Sequence, residues 1–304
     1  MRSLKLKEYK PANDKMKALL KWLWDVAVEP VLNDLHLDGS DSTSDTRIWW
    51  VGMGNLCRAP FHAAGDHLKG SINNTISRVM SSYAPTPRAL AYSREKSLKL
   101  SDDPQIEVPF NNSKRSQNAS DKTRMLFVSM LTTAGNSKLN TEPEFEAVKH
   151  PVRGGGLAVD HIDMPSASAV VDELDAHDIV HFACHGVSDA IDPSNSHLLL
   201  RNPDSDTQPA HLAVKTILNN KSEKAQVAYL SAYSTAENKS KLEDESIHIA
   251  IAFQLAGFSH VLATLWESND KICCLVAQEF YRLFFNGEGD KRGHLRVLGH
   301  DIAR

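Results

Sequence analysis

Apolar positions along this chain follow two different periods. Between residues 14 and 37 they recur at helical spacing: Met16, Leu19, Leu20, Leu23, Trp24, Val31, Leu32 and Leu35. Pro30 falls inside that run and predicts a kink or division, because proline lacks the N–H that a helix ladder needs. RIWWVG (47–52) reads as a short strand, and PFHAAGD (60–66) as a turn with a short helix. Residues 101–122, with SDDPQ and NNSKRSQNASDK, are rich in polar residues and predict a mobile loop. From Arg124 onward the texture changes. Four apolar runs have strand length: RMLFVSM (124–130), DIVHFAC (178–184), AQVAYLS (225–231) and HVLATLW (260–266). Helical patterns lie near 142–149, 166–175, 210–219, 243–256 and 270–285. Strands apolar on both faces need helices on both sides. The alternation predicts an α/β fold with a mostly parallel central sheet flanked by helices. In such sheets, functional groups collect beyond the carboxyl ends of the strands.

Composition narrows the function classes. The 304 residues are 41% apolar and 24% charged, enough for a large core in one domain or two. A net charge of −4 argues against nucleic acid as a partner, since that would need a basic face. No apolar run reaches the roughly 18 residues of a membrane span, and MRSLKLKEYKPANDK lacks the apolar block of a signal peptide. Of the four cysteines, Cys273 and Cys274 are neighbours, while Cys57 and Cys184 fit apolar segments, so a disulfide framework is not expected. A reducing, cytoplasmic setting follows, and triplets such as Asn118-Ala119-Ser120 are chance matches. The GMG at 52–54 and GGG at 154–156 lack the spacing of a phosphate loop, so no nucleotide or other cofactor is expected.

Two strand ends carry chemistry. The run at 178–184 leads into His185-Gly186, and the run at 225–231 into Ala232-Tyr233-Ser234. In a parallel sheet, a histidine on one strand end can face a nucleophile on a neighbouring end. A Cys-His pair needs that closeness, because the imidazole generates the attacking thiolate. Gly186, without a side chain, lets a substrate backbone approach and offers its N–H to an oxyanion. Taken alone, His185 is as simply a loop histidine.

HFACHG (181–186), LSAYSTAEN (230–238) and DESIHIAIAFQLAGFSHVLATLWESND (244–270) occur in that order. Together they resemble the CHAT domain, a caspase-like member of the cysteine-peptidase group that includes separases. WLWDVAVEPVL (22–32), APFHAAGDH (59–67) and HFACHGVSDAIDPSNSHLLL (181–200) agree with that resemblance. It implies a caspase-like three-layer sandwich over residues 15–286, a tail at 1–14 and a C-terminal helix in 287–304. Members usually continue into a further strand with an aromatic-proline signature. That strand has no counterpart here, and its absence leaves an expected free sheet edge. Many members carry tetratricopeptide repeats, so repeat-containing proteins join peptides and other proteins as expected partners. By the same resemblance, His185 matches the catalytic base and Gly186 the glycine beside it. Tyr233 falls where the family places its nucleophilic cysteine, and its backbone N–H falls in the oxyanion hole.

A phenol changes that chemistry. Its reference pKa is near 10, against about 8.5 for a thiol, and it is a harder, weaker acyl nucleophile. Its oxygen also lies several bonds further from the backbone. Misplacing a reacting atom by about 1 Å can cost on the order of a hundredfold in rate. The sequence therefore predicts a catalytically impaired peptidase homologue with a peptide-binding or regulatory role. The alternative is an active peptidase that pairs His185 with a different nucleophile, Ser231 or Ser234. Cys184 is no replacement, because strand alternation sends it away from His185 and into the core.

Other constellations have plainer explanations. His177, His181 and His185 recur every four residues, which on a strand separates the rings by roughly 13 Å, too far for one metal ion. His62, Asp66 and His67 read as a surface turn, so no metal is expected. Asp189 and Asp192 follow the His-Gly turn and are candidates to receive a basic side chain of a peptide, although a turn ending at Pro193 accounts for them too. Glu243, Asp244 and Glu245 open a helix, where acidic residues favour the positive end of the dipole.

Overall fold

A computed structural model describes residues 2–37, 46–53, 56, 59–84, 86–88, 90, 91, 95, 123–187, 195–220, 226–231, 233, 234, 249–255, 258, 260–263 and 270–286. The expected loop at 101–122, the helix start at 243–248 and the C-terminal residues 287–304 lie outside them. The chain divides into two compact units, Met1–Gly52 with Arg58–Tyr83 and Gly287–Arg304, and Met53–Cys57 with Ala84–Asn286. No helix among the described residues is long and apolar enough to cross a membrane.

The first unit opens with helix α1 (Arg2–Leu23), so residues 2–14, expected as a tail, continue the helix through Pro11. A π turn (Trp24–Val28) then joins α2 (Glu29–Asp34). The division expected at Pro30 takes this form. Glu29 N donates to Trp24 O five residues back, which widens the ladder just before the proline that cannot donate. Strand β1 (Arg47–Trp50), a 3₁₀ turn (Phe61–Ala63), α3 (Thr75–Arg78) and β2 (Met80–Tyr83) complete the described part. β1 and β2 pair in parallel. Leu23, Trp24, Val28, Leu32, Trp50, Phe61 and Val79 form the core. Buried Arg78 lies over the Trp24 ring at 4.8 Å and donates to Ile72 O and Asn33 Oδ1.

The second unit is built on a five-stranded parallel sheet. Its strands are β3 (Arg124–Ser129), β4 (Ala158–Asp163), β5 (Ile179–Ala183), β9 (Val227–Leu230) and β11 (His260–Ala263), in the order β11-β9-β5-β3-β4. Alternation sends their side chains into two layers. Leu126, Val128, Val180, Phe182, Ala228 and Leu230 pack with residues of α5 (Ala167–Leu174), α6 (Val214–Asn219) and α7 (Ile249–Leu255). On the other face, Phe127, His181 and Tyr229 meet α4 (Thr141–Gly154) and α8 (Asp270–Asn286) through Phe145, Glu144, Phe280 and Tyr281. Helices on both faces of a mainly parallel sheet make the expected three-layer sandwich.

A second, smaller sheet has the order β10-β6-β7-β8: β6 (His185–Val187), β7 (His197–Leu200), β8 (Ala210–Ala213) and β10 (Tyr233–Ser234). Residues 210–219 were expected as one helix. The first four form β8, and only Val214–Asn219 is helical.

Candidate active site

The two strands whose ends drew attention continue from one sheet into the other. β5 ends at Ala183 and, after Cys184, β6 begins at His185. β9 ends at Leu230, and β10 begins at Tyr233. In the large sheet Phe182 is the register partner of Leu230. Three residues further along each chain, His185 is the parallel partner of Tyr233, and Gly186 of Ser234. Positions 185 and 233 are therefore neighbours across one strand pair, at the carboxyl edge of the large sheet.

The His185 ring is buried, and its Nε2 lies 2.8 Å from the carbonyl oxygen of Ser137. A carbonyl only accepts, so Nε2 carries the hydrogen and donates. In the neutral ring this makes Nδ1 the basic nitrogen. Ser137 belongs to residues 131–140, which join β3 to α4. Leu139 N donates to Leu131 O and Asn136 N to Thr133 O, closing this loop on itself, with Gly135 at a φ of 75°. Sequence reading missed Ser137, because a contribution made by a backbone carbonyl leaves no residue-type signal.

Gly186 is buried and paired on both sides, with Ser234 and with Leu198 of the antiparallel β7. Asp189 and Asp192 lie outside the described residues. Cys184 is fully buried in the large core, and burial pushes its thiol pKa up, away from thiolate chemistry. Ser231 is 2% exposed. A hydroxyl so enclosed cannot meet a substrate.

A second Ser/His/Asp constellation escaped the sequence reading. Ser129 Oγ donates to Asp163 Oδ1 at 2.6 Å, and the same oxygen lies 2.8 Å from His161 Nε2. With its one proton given to Asp163, the hydroxyl accepts from His161. The hydroxyl proton then faces a carboxylate, a weak base, and not the imidazole, and Ser129 is buried away from any substrate. It is a strut between β3 and β4. His62 is likewise not a simple surface turn. Its Nδ1 lies 2.7 Å from Tyr83 Oη, which also accepts from His62 N. Among the described residues, no three His, Cys, Asp or Glu side chains cluster as metal ligands would.

None of the curated proteins matches the sequence at a significant level. The family model of the CHAT domain matches residues 17–293, a span that includes every element of both strand ends described above. The chain thus belongs to the CHAT domain family and carries a caspase-like, peptidase-related domain.

Proposed function

We propose that this chain is a catalytically impaired CHAT domain that has kept its base and lost its nucleophile, and that it binds a peptide or protein segment at the strand ends in a regulatory role. The observation that carries this reading is the register of β6 and β10. Tyr233 is the direct partner of a histidine whose Nε2 is already committed to a backbone carbonyl. That imidazole has the tautomer of a general base, and the residue across from it has a phenol in place of a thiol. In an active enzyme of this design, Gly186 and the Tyr233 backbone N–H would stabilise the oxyanion. Asp189 and Asp192 are candidates to receive a basic side chain of the bound segment.

The rival reading, an active peptidase with another nucleophile, finds less support. Ser231 and Cys184 are enclosed, and the Cys184 thiol is held protonated. The test is cleavage of a peptide library by the purified protein. Wild type is expected to show no turnover, and Tyr233→Cys to gain it, by on the order of a hundredfold over background. His185→Ala in the Tyr233→Cys background should abolish the gain. Wild-type cleavage that is lost in His185→Ala overturns the reading.

A further inference from the structure

The Ser137 carbonyl sits on a loop, and a loop alone does not keep a carbonyl within bonding range of a ring. Residues 131–140 run directly into α4. In the first turns of that helix, Glu144 is 2% exposed, and its Oε1 lies 3.1 Å from His181 Nε2. His181 stands on β5, four residues before His185, and is fully buried. Its Nδ1 meets Tyr281 Oη of α8 at 3.2 Å. Its ring is stacked between Phe127, at 4.5 Å between centroids, and Tyr229, at 4.6 Å. A carboxylate accepts, so His181 Nε2 donates to Glu144 and Tyr281 donates to Nδ1. Both ring nitrogens are thereby occupied by side chains from two different helices. Enclosed as it is, His181 cannot touch a substrate. What it can do is fasten the start of α4 to the strand that leads into the site. α8 grips the same segment, with Leu139 packed on Cys273 and the Cys274 thiol 3.5 Å from Pro143 O.

We propose that the Glu144–His181 pair is a positioning element for His185: by tying the first turns of α4 to β5, it holds the Ser137 carbonyl against His185 Nε2 and so selects the tautomer with a basic Nδ1. The proposal rests on the reading of His185 as the base. It adds two residues that act through Ser137.

The test is nitrogen NMR of the full-length chain labelled at its histidine rings. In wild type, the Nε2–H tautomer of His185 is expected in excess. In Glu144→Ala the ratio of the two tautomers should fall about tenfold, the worth of one carbonyl hydrogen bond. Glu144→Gln, whose amide oxygen still accepts from His181, should restore it. A purely structural loss would lower stability without moving this ratio. If Glu144→Ala does not fold, Glu144→Asp decides, since it withdraws the carboxylate by one methylene and should shift the ratio the same way. A folded Ala or Asp variant with an unchanged His185 spectrum overturns the proposal. A wild-type ring without the Nε2–H excess overturns the reading of His185 as base instead.

Discussion

The same two chain segments present a histidine opposite a tyrosine twice. His181 is the register partner of Tyr229, and His185, four residues on, is the partner of Tyr233. The residue types are identical and the surroundings are not. His181 is sealed between Phe127 and Tyr229, and both of its nitrogens bond to side chains from the flanking helices. Burial pushes the Tyr229 and Tyr281 phenols well above their ordinary range, so both stay protonated. His185 lies past the carboxyl end of the large sheet, where Nε2 bonds to a carbonyl of the connecting loop. The first histidine has become a fastener and the second keeps the arrangement of a base. What separates a structural histidine from a chemical one here is the set of groups its nitrogens meet, which its burial alone does not reveal.

Swapping each histidine for leucine should break the comparison most sharply. His181→Leu leaves the Glu144 carboxyl buried without its hydrogen-bond donor, a loss expected at about 3 kcal/mol. His185→Leu removes the hydrogen bond from Nε2 to the Ser137 carbonyl, a contribution expected at about 1 kcal/mol. Urea unfolding of the two variants measures both. Equal losses would remove the distinction between fastener and base.

The first unit supplies a third His–Tyr contact, and it sharpens the comparison through pH. Burial, with a smaller contribution from His67, lowers the His62 pKa from 6.5 to about 4. The folded value lies below the unfolded one, so as pH falls the unfolded chain takes up the proton first. The stability that the neutral ring contributes is complete above about pH 6.5. It drains away between there and about pH 4 and stays lost below. Up to about 3 kcal/mol is expected to go in that window. His62→Gln should flatten the slope, as read from urea midpoints at pH values across the window. A slope that survives the substitution assigns the acid sensitivity to other groups.

The large sheet was legible because its inner strands are apolar on both faces, as RMLFVSM, DIVHFAC and AQVAYLS show. β4 was not. Its sequence, AVDHID, lies at a sheet edge with its residues exposed or half-buried, so polar side chains are tolerated and the apolar signal vanishes. The four strands of the smaller sheet are two to four residues long, too short for any period to register. His185 and Tyr233 were legible because each follows a readable strand. Ser137 was not, since any residue type would present the same carbonyl. Nor was Glu144, whose acidic side chain at a helix start reads as an ordinary dipole partner until its burial is seen.

The smallest expected effect asks whether the fastener needs both of its bonds. Tyr281→Phe deletes one oxygen and leaves the ring that packs in the layer between the sheet and α8. His181 Nδ1 then loses the hydroxyl at 3.2 Å, while the bond from Nε2 to Glu144 and the stack between Phe127 and Tyr229 remain. A loss of about 1 kcal/mol is expected, the net worth of one buried neutral hydrogen bond with its acceptor left unpaired. In the Glu144→Gln background the charged acceptor is already gone, so the two changes should couple and their sum should miss the double variant by more than about 0.5 kcal/mol. Strict additivity would mean that Tyr281 and Glu144 hold His181 independently. The imidazole would then be a passive spacer rather than a polarised link from one helix to the other.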